Sequence, residues 1–330
     1  MQKGEFTMNK AKIGIYCLAS KETRREIFPA HAKELARCKN QNFHFYLLSN
    51  GLSEEMSKEL YTILPNNLTI LKFTNPIINN YMDKIIFATD QHHEFSIKHD
   101  EDIFMVAESW DRLFSLADTL DDTNLCATGV ISNGIPTVEL FLENHTPKIK
   151  EELYADFCKI SVGAANLITG MNEVCDYSLL DEQYSHWDSD YFYKKVKNFN
   201  HYYKGIHPVR CSLPCVKKIN DYILKNFDTV MTPKDTGILK TTKYPYFCNS
   251  LFLIRTEEWK TIIHDVSLYV DGLDEVPLNK YLERTGKSLV IDTGIPIIHT
   301  MYNWTPDWSY EKNLISQICK NAKSRNGKQQ

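Results

Sequence analysis

Asp100 and Asp102 stand one residue apart in the stretch Phe95-Ser-Ile-Lys-His-Asp-Glu-Asp-Ile-Phe-Met105. Two carboxylates this close give hard oxygen ligands on a short span of backbone, which suits a divalent cation whose remaining positions are open to phosphate. The tripeptide alone carries little weight, because Asp188-Ser-Asp190 has the same spacing. Context separates the two pairs. Phe95 and Ile97 alternate as in a strand arriving from a core, and an apolar helix starts a few residues after Asp102. Asp188 and Asp190 lie in a polar, aromatic segment with no strand before them, where a solvated turn is the better reading. Glu101 points away from its two neighbours if strand geometry persists, so it supports the ligands at most.

The elements that must position this pair follow from the hydrophobic pattern. Ile13–Ala19 predicts a buried strand, Pro29 to about Cys38 a helix, Phe43–Leu48 a second strand, and Ser53 to about Leu64 a helix with acids in its first turn. Leu68–Phe73 predicts a third strand and Tyr81 to about Ala88 a helix. The fourth strand delivers Asp100, a helical stripe follows through Trp110, Leu113, Phe114, Ala117 and Leu120, and Leu125–Ile131 is a fifth strand. Strands alternating with helices at this rhythm mean an α/β fold with a mainly parallel sheet and helices on both faces. Ligands of such sheets bind beyond the carboxyl ends of the strands, where Asp100 and Asp102 fall. From Ser132 to about Lys243 the rhythm breaks, and only one further helix, Leu213 to about Phe227, is legible. Regularity returns with a strand over Phe247–Ile254, helices opening at Thr256 and running to about Arg284, and short strands at Leu289–Asp292 and Ile297–Thr300.

Ile97-Lys-His-Asp-Glu-Asp-Ile-Phe-Met105 with Glu108-Ser-Trp-Asp-Arg-Leu113 resembles the Asp-x-Asp region of bacterial GT-A-type glycosyltransferases. Tyr246-Phe-Cys-Asn-Ser-Leu-Phe-Leu-Ile254 and Asp274-Glu-Val-Pro-Leu-Asn279, with His299 downstream, are similar to the same group. The resemblance implies a GT-A-like, Rossmann-type mixed sheet with a largely irregular or helical insertion. It implies a tail over 1–10, a nucleotide-sugar half over 11–132, and an acceptor-side insertion over 133–243. Return elements over 244–310 and a C-terminal helix with a basic tail over 311–330 complete the scheme. By the same resemblance, Asp100 and Asp102 hold Mn²⁺ or Mg²⁺ against a nucleotide-diphosphate sugar donor, and His299 supplies a third ligand; packed in a core, a lone His there is a hydrogen-bonded structural residue. Asp274 or Glu275 is the base that takes the acceptor hydroxyl's proton, with Asp274 favoured and inversion slightly preferred; otherwise the two are helix-capping acids. Lys84 reaches the diphosphate, whereas Arg24 and Arg25 read better as solvated loop residues. His207 and Arg210, around Pro208, are candidates for gripping an acceptor phosphate or carboxylate. Tyr302, Trp304 and Trp308 either stack on sugars or pack ordinarily.

The implied activity is metal-dependent transfer of a sugar to the hydroxyl of a glycan or lipid-linked glycan, in bacterial surface polysaccharide or lipopolysaccharide synthesis. The alternatives are a non-catalytic carbohydrate- or nucleotide-binding protein on the same fold, or a nucleotidyltransferase. The last is disfavoured because Ala19-Ser-Lys-Glu-Thr-Arg24 lacks the glycines of a phosphate loop. Composition narrows the rest. A formal net charge of -4 argues against a nucleic-acid partner. Nine cysteines without a Cys-x-x-Cys read as buried thiols in a reducing cytoplasm rather than a zinc site. No apolar run approaches a membrane span and the N-terminus lacks a signal-peptide core, so the expected location is cytoplasmic, with at most peripheral contact at the inner face of the membrane. Residues 1–7 precede a second methionine, Met8, and are expected to be an added tail outside the fold.

Overall fold

Short runs of β-branched and aromatic residues bounded by polar turns form the strands, and segments of helical period link them. The computed structural model describes residues 12–19, 24–49, 51–72, 93–134, 137–157, 161–165, 172–176, 213–241, 247–268, 275–300 and 308–328. The N-terminal half runs β1 (Ile13–Ala19), α1 (Ile27–Ala36), β2 (Phe43–Ser49), α2 (Glu54–Ile63), β3 (Leu68–Lys72) and β4 (Phe95–His99). Ser53 caps α2, its Oγ accepting the Met56 N–H at 3.1 Å, and Glu54 and Glu55 follow in the first turn. The two-residue β5 (Ile103–Phe104), α3 (Ala107–Ser115) and β6 (Asn124–Ile131) come next.

The middle of the chain contains α4 (Val138–His145), α5 (Pro147–Phe157), the hairpin strands β7 (Ser161–Ala165) and β8 (Asn172–Asp176), α6 (Leu213–Lys225), α7 (Phe227–Met231) and β9 (Ile238–Thr241). The C-terminal part runs β10 (Leu251–Arg255), α8 (Thr256–His264), α9 (Glu275–Thr285), β11 (Ser288–His299) and α10 (Trp308–Lys328). The main sheet has the order β3-β2-β1-β4-β10-β6-β11-β5, with β9 pairing β11 off this path. The first four strands are parallel throughout, β10 enters antiparallel between β4 and β6, and β11 is parallel to β6. The mixed, mainly parallel α/β sheet expected from the sequence is therefore what forms.

Helices cover both faces because the strands alternate their side chains. His99 of β4 lies 4.7 Å from the His31 ring of α1 and 5.4 Å from Trp110 of α3. On the other face the Ser96 hydroxyl meets that of Thr256 at 2.8 Å, and Tyr16 packs on Trp259 of α8 at 5.7 Å. Three expectations change. The two short strands near residues 289 and 297 are one strand, β11, whose register on β6 shifts between Ile291 and Pro296. The helix from Leu213 breaks at Asn226 into α6 and α7. Helices α4 and α5 fill part of a segment that looked irregular, with Val138, Phe141, Leu142 and Leu153 turned into the core. The helix expected over 81–88 lies outside the described residues. The six cysteines whose side chains are described are thiols, five of them buried. Among the described residues no helix is long and apolar enough to cross a membrane.

Candidate functional site

Strand β4 ends at His99, and the chain turns through Asp100-Glu101-Asp102 before β5. The Asp100 N–H still donates to Ser250 O at 2.9 Å, which holds the start of the turn against the approach to β10. β5 then pairs antiparallel with the end of β11, setting Phe104 opposite Ile298 and Ile103 opposite His299. The Thr300 N–H extends that ladder to Asp102 O at 2.8 Å. This register brings Asp102 beside His299, from opposite ends of the sequence. His299 Nε2 lies 3.5 Å from Asp102 Oδ1, and both side chains are no more than 4% exposed.

Asp102 is held from behind by Arg24. Its Nη1 lies 3.1 Å from Asp102 Oδ2 and donates to Glu101 Oε1 at 3.2 Å, while its Nε donates to Glu311 Oε1 of α10 at 2.8 Å. Glu311 Oε1 also accepts the Thr300 hydroxyl at 3.0 Å. Burial pushes the Arg24 guanidinium toward its neutral form, but the charges of Asp102, Glu311 and Glu101 outweigh that and raise its pKa. Arg24 is thus fixed as a cation at the centre of three carboxylates, rather than the solvated loop residue the sequence suggested. Glu101 shares that cation with Asp102 because residues 100–102 form a turn, which removes the strand alternation that would have separated them.

Asp100 has a different set of neighbours. Its Oδ1 accepts from Lys98 Nζ at 2.5 Å, and the same ammonium donates to Asn249 O at 3.0 Å. The Lys98 side chain is buried, whereas about a third of the Asp100 side chain, 32%, remains exposed. The turn therefore separates the environments of the two aspartates. Lys98 and Asn249 escaped the sequence reading; a lysine in the middle of an apolar strand was the available signal for the first.

His299 is clasped by the end of β6. Ser132 Oγ accepts the His299 N–H at 3.2 Å, Asn133 Nδ2 donates to His299 O at 3.1 Å, and Asn133 Oδ1 faces His299 Nδ1 at 2.6 Å. Trp308 opens α10, 42% exposed, with its ring centroid 5.9 Å from the Arg24 guanidinium carbon. Glu275 begins α9. Lys84, Asp274, His207, Arg210, Tyr302 and Trp304 lie outside the described residues, as do Asp188 and Asp190.

Among the described residues no group of three or more His, Cys, Asp and Glu side chains is gathered as a metal cluster. The carboxylate and imidazole of Asp102 and His299 are nonetheless donors of the kind a Mn²⁺ or Mg²⁺ site uses, and they face each other at 3.5 Å. These residues fit such an ion as two protein ligands.

No protein-family model matches the sequence, and no curated protein matches it. Among solved structures the chain is similar to GalNAc-T7 crystallised with UDP, GalNAc and Mn²⁺, with a TM-score of 0.47 and 10% identity over 90% of this chain and 44% of that one. It is also similar to the bifunctional glycosyltransferase WbbM in its apo form, with a TM-score of 0.45 and 10% identity over 95% of this chain and 52% of that one. A third similar structure is an active-site mutant of LgtC, with a TM-score of 0.40 and 12% identity over 94% of this chain and 95% of that one. The chain spans about half the length of the first two.

Proposed function

We propose that this protein is a glycosyltransferase of the GT-A type that moves a sugar from a nucleotide-diphosphate donor to an acceptor hydroxyl, with Mn²⁺ or Mg²⁺ as cofactor. The observation that carries the reading is the acidic turn at the carboxyl end of β4, joined through β5 to the histidine that ends β11. Such a turn lies where open α/β sheets bind ligands. The Asp-x-Asp resemblance in the sequence supports the same reading.

Asp102 and His299 would hold the cation, with Asp100 on the same turn as Asp102 and held by Lys98. When bound, a divalent ion neutralises the charge that builds on the departing diphosphate. The chain's own residues do the rest. Arg24 holds Asp102 in place while keeping its own positive charge within the acidic turn. Lys98 fixes Asp100 through Oδ1. Asp274 or Glu275 takes the proton from the acceptor hydroxyl as its oxygen attacks the anomeric carbon, and the bond to the diphosphate oxygen breaks. The acceptor is a glycan or lipid-linked glycan of a bacterial surface polysaccharide or lipopolysaccharide, met in the cytoplasm or at the inner face of the membrane.

Hydrolysis and transfer assays with UDP- and GDP-sugars, with and without Mn²⁺, test this. Asp102→Asn is expected to lower turnover by about 100-fold or more, the scale on which a lost electrostatic stabiliser acts. Full transfer activity in a variant carrying both Asp100→Asn and Asp102→Asn overturns the reading. Metal-dependent nucleotide binding without sugar release would instead favour a binding protein on the same fold.

A further inference from the structure

Asn133 touches His299 at two points, and together they fix the chemistry of the ring. A carbonyl oxygen only accepts, so the Asn133 atom 3.1 Å from His299 O must be the amide nitrogen. The amide oxygen then faces His299 Nδ1 at 2.6 Å, so Nδ1 carries the hydrogen. In the neutral ring the lone pair consequently sits on Nε2, the nitrogen 3.5 Å from Asp102 Oδ1. Two acceptors face each other there, at a separation too long for a good hydrogen bond but short enough for one cation to be shared. Three further contacts keep the pair in register: Ser132 Oγ accepts the His299 N–H at 3.2 Å, Ser132 N donates to Ile297 O at 2.9 Å, and Thr300 N donates to Asp102 O at 2.8 Å. Asn133 is itself 2% exposed, so its amide does not exchange freely between water and the ring.

We propose that Asn133 is a positioning residue for divalent-cation binding: by accepting the Nδ1 hydrogen it presents His299 Nε2, as a lone-pair donor, to a cation shared with Asp102. The inference rests on the metal-dependent reading above. Ligating histidines generally owe their tautomer and basicity to such a partner, and losing it weakens metal binding by roughly 10- to 100-fold. Aspartate at the same position retains an acceptor for the Nδ1 hydrogen, whereas alanine offers none.

The test is titration of Mn²⁺ alone into the purified full chain, followed by calorimetry or by the loss of the free-ion electron paramagnetic resonance signal. Wild type, Asn133→Asp and Asn133→Ala are compared, with thermal unfolding of each recorded beside the titration. Asn133→Ala is expected to weaken Mn²⁺ binding by roughly 10- to 100-fold, and Asn133→Asp to stay within about tenfold of wild type. Nitrogen-15 spectra of the metal-free wild type, which need no variant to fold, are expected to show His299 protonated at Nδ1. A spectrum with the hydrogen on Nε2 overturns the proposal, as does a folded Asn133→Ala protein with wild-type Mn²⁺ affinity. If wild type binds no Mn²⁺, the metal-dependent reading falls together with it; wild-type binding that Asn133→Ala leaves intact removes only the role of Asn133.

Discussion

At the scale of single residues, Arg24 has several interactions to lose at once. Three carboxylates, Glu101, Asp102 and Glu311, lie on its guanidinium with side-chain exposures of 2 to 6%. Water cannot replace the cation without opening the site, so Arg24→Met strands buried negative charge. The expected loss is about 3–5 kcal/mol, the usual result of deleting one partner of a buried ion pair. A contrast is available at Lys328, whose ion pair with Asp228 is 69% and 49% exposed. Lys328→Met is expected to change stability by less than about 1 kcal/mol. Urea denaturation of the two variants tests the difference, and equal midpoints would mean that Arg24 is hydrated after all. Two of these carboxylates, with Asp100, also act on Cys17. Its thiol is raised well above its ordinary value, first by burial and then by the charges of Glu101, Asp100 and Asp102. A thiol so placed is poor material for a nucleophile.

At the scale of elements, β11 carries both the structural irregularity and the ligand it delivers. Between Ile291 and Pro296 its register on β6 slips; Gly129 of β6 admits the close approach of Ile295, and Gly294 of β11 admits that of Lys234. A Cβ on Gly294 would lie 1.7 Å from Lys234 O, and one on Gly129 would lie 2.5 Å from Ile295 O. Both obstructions are backbone atoms, which cannot rotate away. Gly294→Ala and Gly129→Ala are each expected to destabilise by about 1–3 kcal/mol or more, the range for overpacked sites. Gly327, on α10, has nothing within 4 Å of its would-be Cβ. Alanine there should stabilise by up to about 1 kcal/mol, through helix propensity and a less flexible unfolded chain. Melting temperatures of the three variants give the comparison, and a neutral Gly294→Ala would contradict the strand geometry. The pattern of β11 explains why the sequence suggested two strands: the run Thr293-Gly-Ile-Pro296 contains a glycine and a proline, both of which ordinarily end strands. Helix α4 escaped for a different reason. Its buried apolar residues Val138, Phe141 and Leu142 are mixed with Glu139 and His145, polar residues that are buried too, so the apolar period is diluted.

At the scale of the whole molecule, Asp102 and His299 were legible as types at the ends of apolar runs; the resemblance implied that they act together, but the hydrophobic pattern did not show how they meet. Their meeting depends on the two-residue β5, which is too short to leave a pattern, and on Arg24, Asn133 and Glu311, whose partners are distant in sequence. The fold also sets how the molecule responds to acid, because it buries or half-buries histidines on several elements and so favours their neutral form. His44 on β2 is lowered to about 4 by burial and then by the charge of His93. His145 on α4 is lowered to about 4 by burial and then by Lys234, against the opposing pull of the Thr293 and Val230 carbonyls. His31 on α1 is lowered well below 6.5 by burial and then by His99. For each, the folded pKa lies below the unfolded one, so the unfolded chain binds more protons as the pH drops below about 6.5. Stability from these groups is therefore present above that pH and lost toward about 4, by up to about 1.4 kcal/mol per pH unit for each proton. Glu34 works in the opposite direction. Burial raises its carboxyl, so its contribution is present at low pH and lost as the pH rises through its folded value, one group against several imidazoles. Urea midpoints should change little between about pH 8 and 7 and fall between about pH 6.5 and 5, with a shallower fall in His145→Gln. Constant midpoints down to about pH 5 would mean that these imidazoles take up protons as readily in the folded chain as in the unfolded one.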